Sequence, residues 1–306
     1  MRCPICNFNL KNPLKSYLPY YFICFNCTGH FIGKVKKVEY PESYFDEGES
    51  FFWLSDLLET PLNLLLELRI SYIKNIIKRK NAKILDYGCG SGKLVKKLLS
   101  ESYSTIGFEP SSGALKITKR LKLPIFKKVK HIKDGYDLIM FWQSLEHTNN
   151  PLKALVGIKK YLAKSGKILI AVPNADSIEA RLFKKLWFHY TYPMHRVHFN
   201  PKSITKMLAR AGFKMKEIDF FNPEYTLTGL AQSFLNIFLP ENVLYSVISH
   251  RRYTLPKNLS VLYSLLSLIL LFTLSPIILV IFFIQLIFKK AGAIVVTANY
   301  ARKVSH

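Results

Sequence analysis

The stretch AKILDYGCGSGKL, from Ala82 to Leu94, decides the fold. It begins as a short apolar run, passes through a turn with three glycines, and ends in a segment with helical spacing. A strand that passes through a glycine-rich turn into a helix is typical of the first ligand-binding turn of an α/β sheet.

Strands and helices alternate after this first unit. STIGFEPSSGALKITKRL repeats the order strand, turn, helix, and NPLKALVGIKKYL is a helix with Pro151 in its first turn. Three further strands are predicted at Leu123–Phe126, Tyr136–Trp142 and Ser165–Asn174. This alternation predicts an α/β fold with a mainly parallel sheet, in which ligands bind at the carboxyl ends of the strands.

The residues of the first turn indicate what the ligand is. Glycines at 88, 90 and 92 let the backbone pass close to a ligand and bend into a helix. Asp86 ends the strand with a carboxylate, which a phosphate group would avoid and a cation would favour. Glu109 ends the next strand, where an acidic side chain can accept both hydroxyls of a ribose. A site for a ribose and a positive charge, without pyrophosphate, fits S-adenosylmethionine.

With these motifs, the chain resembles the class I S-adenosylmethionine-dependent methyltransferases, in the broad group that includes ubiquinone-biosynthesis-type enzymes. LDYGCGSG resembles the first motif of that family, GFEPS its ribose-binding turn, and YDLIMFWQSLEHTNNP its fourth strand and following loop. GKILIAVPN and HRVHFNPKSITKMLARAGF resemble the later segments, so the matches run in order from about Lys83 to Phe220. The resemblance implies a Rossmann-like sheet of seven strands whose last strand is antiparallel.

The resemblance also implies which residues bind the cofactor. Asp86, Gly88 and Gly90 would surround its methionine part, Glu109 would hold the ribose, and Pro110 would flank the adenosine. The predicted cofactor-binding residues are Asp86, Gly88, Gly90, Gly92, Glu109, Pro110 and Gln143. The segment FKKVKHIKDG, where the family's adenine contact is expected, has no acidic residue before Asp134, so that contact stays open.

Three histidines are candidate catalytic bases: His147, after the fourth strand, and His195 and His198 in PMHRVHFN. Methyl transfer to a hydroxyl requires that the acceptor lie near the methyl group and lose its proton. The alternatives are that His147 orders its loop and that the other two belong to a structural turn. A metal ion at these histidines is not expected, because the sequence shows no third ligand.

Four cysteines indicate a metal site near the N-terminus. Cys3 and Cys6 form one CxxC pair, and Cys24 and Cys27 form a second, with 17 residues between the pairs. This spacing is typical of a zinc ribbon, in which four thiolates surround a structural Zn²⁺. The alternative is a small lobe with four reduced cysteines in a reducing cytoplasm.

The net charge of +24 points to an anionic partner. Seven Lys or Arg residues lie between Lys119 and Lys133, and there is no acid between Glu109 and Asp134. A solvated basic face, an anionic membrane surface and nucleic acid are the alternatives. Nucleic acid is the less expected partner, because no aromatic RNA-binding motif is present.

An uncharged stretch of 31 residues, Asn258 to Phe288, exceeds the roughly 20 residues that span a membrane. Ser275 and Pro276 divide it, both flanks are basic, and GAIVVTANYARK, from Gly292, is the candidate last strand of the sheet. If that strand joins the sheet, the stretch must enter and leave the membrane on one side. We therefore expect an apolar helical hairpin that anchors the protein on the cytoplasmic face. A single span and a soluble helical pair are the alternatives.

The sequence thus predicts an S-adenosylmethionine-dependent methyltransferase at the cytoplasmic membrane face. The acceptor would be a lipid-linked sugar, a glycan intermediate or an isoprenoid or quinone-type molecule. An RNA-modifying or nucleic-acid-binding methyltransferase and a non-catalytic membrane-anchored scaffold are the alternatives. The predicted parts are a zinc ribbon (1–40), a linker and helix (41–80), the methyltransferase core (81–225 and 291–306) and a membrane-associated helical insertion (226–290).

Overall fold

A computed structural model of the 306-residue chain describes residues 1–33, 52–243, 245 and 257–300. The strands are β1 (Leu14–Lys15), β2 (Tyr21–Ile23), β3 (His30–Ile32), β4 (Lys83–Tyr87), β5 (Ser104–Phe108), β6 (Ile125–Phe126), β7 (Tyr136–Trp142), β8 (Leu162–Pro173), β9 (Val197–His198), β10 (Phe213–Asp219) and β11 (Ala293–Tyr300). The α-helices are α1 (Phe52–Ile76), α2 (Lys93–Ser100), α3 (Ser112–Arg120), α4 (Pro151–Ile158), α5 (Ile178–Phe183), α6 (Pro201–Ala211), α7 (Pro223–Phe238) and α8 (Lys257–Ile287).

The main sheet has seven strands in the order β10-β11-β8-β7-β4-β5-β6. The five strands from β8 to β6 pair in parallel, whereas β11 pairs antiparallel with both β8 and β10. The predicted fold class, a Rossmann-like α/β sheet with an antiparallel last strand, is confirmed. Strands β7 and β8 are almost continuously apolar and buried, as expected of central strands covered by helices on both faces.

Several helices begin where the sequence supplies a cap. Asn150 accepts a hydrogen bond from the Lys153 amide at the start of α4, and Pro151 occupies the first turn. Asn200 and Ser203 form a reciprocal capping box at the start of α6. These caps fix the chain just after the segments that carry the candidate histidines, since His147 lies between β7 and α4 and His195 and His198 lie shortly before α6.

The N-terminal module packs on the main domain instead of standing apart from it. Its three short strands and β9 form a second sheet in the order β1-β2-β3-β9, so the fourth strand comes from the main domain. The buried cysteines also share one apolar core with residues of β8, β9 and α6. Gly29 lies at this junction: a side-chain Cβ there would be 2.4 Å from Ile5 Cδ1 and 2.9 Å from Ser203 Cβ.

The apolar stretch forms one continuous helix, α8, of 31 residues, and the predicted break at Ser275–Pro276 is wrong. Pro276 lacks an amide N–H, so the carbonyl of Phe272, four residues earlier, loses its helical partner. The Ser275 hydroxyl donates a hydrogen bond to that carbonyl at 2.8 Å. A side chain thus replaces the missing backbone donor, and the helix continues through the proline.

One face of α8 packs on the domain and the rest is exposed. Ile278, Phe282 and Gln285 are buried, and the two apolar ones share a cluster with residues of α5, α7 and the N-terminal module. Large apolar side chains are exposed along most of the helix, and Phe272 is 84% exposed. Within the described part of the chain, this is the one helix long and apolar enough to cross a membrane, over Val261–Ile287.

The predicted domain boundaries remain a prediction, and α7 crosses the one at residue 225. The first residues of the predicted linker and helix (41–80) lie outside the described residues, and the helix of this part is α1, which begins at Phe52 and ends at Ile76.

Substitution of Gly29 tests the junction between the N-terminal module and the main domain. Gly29→Ala should lower the free energy of unfolding by about 1–3 kcal/mol, because the new methyl group overlaps Ile5 and Ser203. The matched control is Gly157→Ala on α4, where nothing lies within 4 Å of the added Cβ; it should be neutral or stabilise by up to about 1 kcal/mol. Denaturant unfolding of both variants measures this, and equal stabilities would contradict the packed junction.

Candidate active site

A cavity of about 330 Å³ lies beyond the carboxyl ends of β4 and β7. It is lined by Arg69, Asp86, Gly88, Cys89, Gly90, Ser91, Lys93, Leu94, Trp142, Gln143, Glu146, His147, Phe188, His189, Thr191, Met194, His195, Tyr225, Asn242 and Tyr245. Most of the predicted site residues thus meet in one place. A larger and more open hollow lies against α4 and Tyr161 and contains none of them.

The glycine turn has the geometry that its sequence predicts. Gly88 and Gly90 have φ values of 88° and 54°, which residues with a side chain adopt only with strain. A Cβ on Gly88 would lie 2.5 Å from the Cβ of Ser144. The hydroxyl of Ser144 donates a hydrogen bond to the Tyr87 carbonyl. The turn is therefore packed closely against the loop after β7, with no room for a side chain between them.

Asp86 is buried at the end of β4, and its Oδ1 has no hydrogen-bond partner within the described structure. Burial raises the pKa of this carboxyl to about 7; the positive charge of Arg69 opposes the shift and the charge of Glu109 adds to it. An unpaired carboxylate in the wall of a cavity is a binding site for a cationic group. This feature, with the glycine turn, fits the charged methionine part of S-adenosylmethionine.

Glu109 holds the turn from its other side and is not among the residues that line the cavity. Its Oε2 accepts a hydrogen bond from the Gly90 amide at 3.0 Å, and its Oε1 accepts one from the Ser111 amide at 2.8 Å. Burial raises the pKa of Glu109, and these two amides partly offset the shift. Because a carboxylate can accept about four hydrogen bonds, both oxygens keep capacity for ribose hydroxyls.

Of the other predicted cofactor residues, only Gln143 lines the cavity, whereas Gly92 and Pro110 lie outside it. Gln143 has a positive φ of 50° and a buried Nε2 that has no partner in the described structure. A Cβ on Gly92 would overlap Ile125 and Leu123. Pro110 is exposed at the end of β5. A strained, polar Gln143 beside the turn agrees with a ligand-facing role for that residue.

Two of the three candidate histidines line the cavity. The rings of His147 and His195 meet edge to face, with centroids 4.6 Å apart. Burial lowers the pKa of His195 well below its usual value, and the neighbouring His147 adds to the shift, so the imidazole is neutral. His198 does not line the cavity; it is buried on β9 against the rings of Tyr21 and Trp187.

The sequence did not reveal Arg69 as a site residue. It comes from α1, forms an ion pair with Glu224, and lies 5.0 Å from the centre of the Trp142 ring. Its guanidinium also donates to the Tyr225 hydroxyl at 3.2 Å. Helices α1 and α7 thus close the cavity from outside the sheet. No local motif marks this arginine, and α1 carries other charged residues, such as Glu67 and Lys74, that do not line the cavity.

The four N-terminal cysteines converge, and all are buried. The Sγ atoms of Cys3 and Cys27 are 3.8 Å apart, and those of Cys6 and Cys24 are 3.7 Å apart. A tetrahedral zinc site with Zn–S bonds of about 2.3 Å has sulfur–sulfur edges of about 3.8 Å. All four sulfur atoms lie within 4.8 Å of one another, so the cluster has the size of a four-thiolate metal site.

Comparison with known proteins identifies the family. The family profile described as "Methyltransferase domain" matches residues 62–218, about half of the chain. The ubiquinone biosynthesis O-methyltransferase of Aliivibrio fischeri is 22% identical over 200 residues, which are 58% of this chain and 85% of that enzyme. An uncharacterized protein of Methanocaldococcus jannaschii is 34% identical over 109 residues, but these cover only 35% of this chain and 47% of that protein.

A solved structure agrees on the fold. The crystal structure of a putative sarcosine dimethylglycine methyltransferase from Galdieria sulphuraria superposes with a TM-score of 0.51 and 12% identity, over 85% of this chain and 94% of that chain. The chain belongs to the methyltransferase family and is a class I S-adenosylmethionine-dependent methyltransferase. The predictions of family, enzyme class and S-adenosylmethionine as cofactor are confirmed.

Substitution of Gly88 tests the glycine turn as a binding element. Gly88→Ala should raise the dissociation constant of S-adenosylmethionine at least tenfold, because the methyl group meets Ser144 and displaces the turn. Gly135→Ala is the matched control: its φ of 85° imposes the same backbone strain, but the nearest atom to the added Cβ is Lys83 Nζ at 4.0 Å. Calorimetric titration of both variants should show an affinity loss only in the first, and equal losses would contradict the assignment.

The raised pKa of Asp86 predicts a pH dependence of cofactor binding. Below about pH 7 the carboxyl of the free protein gains a proton and loses its attraction for a cationic ligand. The affinity for S-adenosylmethionine should therefore fall as the pH is lowered from 8 to about 5.5, by up to about tenfold per unit. In Asp86→Asn the affinity should be low throughout and the slope absent. A slope that persists in this variant would assign the titration to another group.

Proposed function

We propose that this methyltransferase acts at a membrane surface on an acceptor that is itself held in the membrane. The acceptor would be a lipid-linked sugar, a glycan intermediate or an isoprenoid or quinone-type molecule. The observation that carries the proposal is the position of α8: a helix with a broad exposed apolar surface packs on the domain directly behind the wall of the catalytic cavity.

The cavity and α8 are separated by a single segment of chain. Trp187 belongs to the apolar cluster that also contains Ile278 and Phe282 of α8. The next residue, Phe188, lines the cavity. Residues Asn242 and Tyr245, on the way from α7 to α8, line it too. An acceptor with an apolar chain could therefore rest its chain in lipid while its reactive group enters the cavity.

The packing of α8 favours attachment from one side. Its apolar contacts with the domain run from Leu271 to Leu286. If those contacts persist, at most the preceding part, from Lys257 to Leu270, could enter a membrane alone, and Ser264 and Ser267 within it are also buried. Fourteen helical residues measure about 21 Å, less than the roughly 30 Å of a bilayer core. The basic residues on both flanks agree with placing both ends on the cytoplasmic face. These points support a monotopic anchor.

Cofactor and acceptor chemistry can be assigned to this chain's residues. Asp86, Gly88 and Gly90 would hold the methionine part of S-adenosylmethionine and Glu109 its ribose, while Pro110 would flank the adenosine. When bound, the cofactor supplies an electrophilic methyl group. His147 and His195 line the acceptor side of the cavity, where they can orient a hydroxyl group.

We further assign a structural zinc ion to Cys3, Cys6, Cys24 and Cys27. The sulfur spacing fits a tetrahedral ion, and all four positions are filled by protein, which leaves no place for a substrate. The side-chain Nδ2 of Asn26 lies 3.6 Å from Cys6 Sγ and can donate a hydrogen bond to that sulfur. The ion would stabilise the fold of this small module.

Vesicle binding tests the membrane proposal. Wild-type protein should float with vesicles that contain phosphatidylglycerol, and a double substitution of exposed α8 residues, Ile269→Glu with Phe272→Glu, should reduce the bound fraction more than tenfold. Leu121→Glu with Val156→Glu, at side chains that are each 47% exposed outside the insertion, is the matched control and should bind like wild type. Unchanged flotation of the α8 variant, with S-adenosylmethionine affinity intact in all samples, would refute the anchor.

A further inference from the structure

Three side chains in the cavity converge as metal ligands would. Glu146 and His147 lie in a short 3-10 turn after β7, and His195 follows the segment that separates the cavity from α8. One ligand atom from each lies within 4.8 Å of the others. A backbone hydrogen bond of 2.7 Å from the Arg196 amide to the Glu146 carbonyl ties the two segments together.

The buried carboxyl of Glu146 has no hydrogen-bond partner among the described residues, at either oxygen. Its side chain is 1% exposed. Burying a carboxylate without a donor or a counterion is costly. A cation between this carboxylate and the two imidazoles would remove that cost.

Both histidines are held in the tautomer that binds metal through Nε2. His195 Nδ1 lies 2.8 Å from the His189 carbonyl, and His147 Nδ1 lies 3.2 Å from the Met194 carbonyl. A carbonyl oxygen only accepts, so each Nδ1 carries the hydrogen and donates it, and the lone pair is on Nε2. Histidine ligands of metal ions are usually oriented in this way by a hydrogen bond from the other ring nitrogen.

We propose that Glu146, His147 and His195 bind a divalent transition-metal ion, of the class of Mn²⁺, Fe²⁺, Co²⁺ and Zn²⁺, in the acceptor part of the cavity. Two imidazoles and one carboxylate suit such ions, and three protein ligands leave open positions. Because all three ligands line the cavity, an oxygen donor of the acceptor could take an open position, and the site therefore favours a hydroxyl acceptor.

This assignment rests on the proposed methyltransferase function and gives its acceptor step a chemical basis. A bound cation lowers the pKa of a hydroxyl that coordinates it, and the proton passes to water. The acceptor oxygen then forms its bond to the methyl carbon as the carbon–sulfur bond breaks, and the bonding electron pair stays on sulfur. His147 and His195 would serve as ligands, so no separate general base is needed.

Cobalt binding tests the site without an activity assay. Full-length protein carrying zinc in the N-terminal cluster is stripped of labile metal with EDTA and titrated with Co²⁺, by calorimetry and visible absorption. Wild type should bind one Co²⁺ with nitrogen and oxygen coordination, distinct from any thiolate-bound ion. Glu146→Gln and His195→Gln should weaken this binding more than about 100-fold, since loss of a group that merely orients a ligand already costs about 10- to 100-fold. His131→Gln, at an exposed histidine, is the control and should bind as wild type.

S-adenosylmethionine titration of the same samples separates the two claims. If wild type binds S-adenosylmethionine but takes up no cobalt outside the thiolate cluster, the metal site is refuted and the methyltransferase function stands. Equal cobalt affinity in wild type and Glu146→Gln also refutes it. Cobalt binding without S-adenosylmethionine binding would support the metal site and refute the proposed function. The wild-type titrations decide the question even if a variant fails to fold.

Discussion

The pairing of β11 between β8 and β10 is the constraint on which the rest of the architecture depends. Residues Ala293 to Val296 on this strand are fully buried, and seven of its residues are in register with β8. Because β11 begins six residues after α8 ends, the end of the apolar helix is held beside the sheet. The chain between β10 and β11 therefore leaves the sheet and returns to it, and Tyr225 of α7, Asn242 and Tyr245 from this stretch line the cavity. One strand thus ties the end of α8 to the sheet that carries the candidate active site.

The charges in the cavity contrast with the charge of the chain. The protein carries a net charge of +24, yet three carboxyl groups are buried in or beside the cavity, at Asp86, Glu109 and Glu146. Burial raises the pKa of each one. Carboxylates are retained in such surroundings where they receive positive charge or hydrogen-bond donors. Glu109 obtains two backbone amides and Asp86 has the charge of Arg69 nearby, but Asp86 Oδ1 and both oxygens of Glu146 lack a hydrogen-bond partner among the described residues. A sulfonium cofactor and a divalent ion would satisfy Asp86 and Glu146 respectively.

The parts that could be predicted from the sequence are those fixed by local pattern. The β4 turn, Glu109 at the end of the next strand and the two CxxC pairs each follow from a few adjacent residues and their chemistry. The parts that could not be predicted depend on distant contacts. Arg69 reaches the cavity from a helix outside the motif. Glu146 adjoins His147 in sequence, but the cluster that both form with His195 appears only in the folded chain. Proline breaks most helices, but at Pro276 the Ser275 hydroxyl supplies the missing hydrogen bond to the Phe272 carbonyl, and α8 continues.

The N-terminal module takes part in positioning the catalytic cavity. The Tyr21 hydroxyl, at the start of β2, donates to the His195 carbonyl at 2.6 Å, and the Ile32 amide donates to the Arg196 carbonyl at 3.0 Å. These bonds fix the backbone of the loop that carries His195. The cysteine cluster orders the strands that make them, so a metal ion there would stabilise the active site without touching a substrate. The module therefore supports the loop that carries His195. It does so because its strands pair with β9 and its side chains share the core of the main domain.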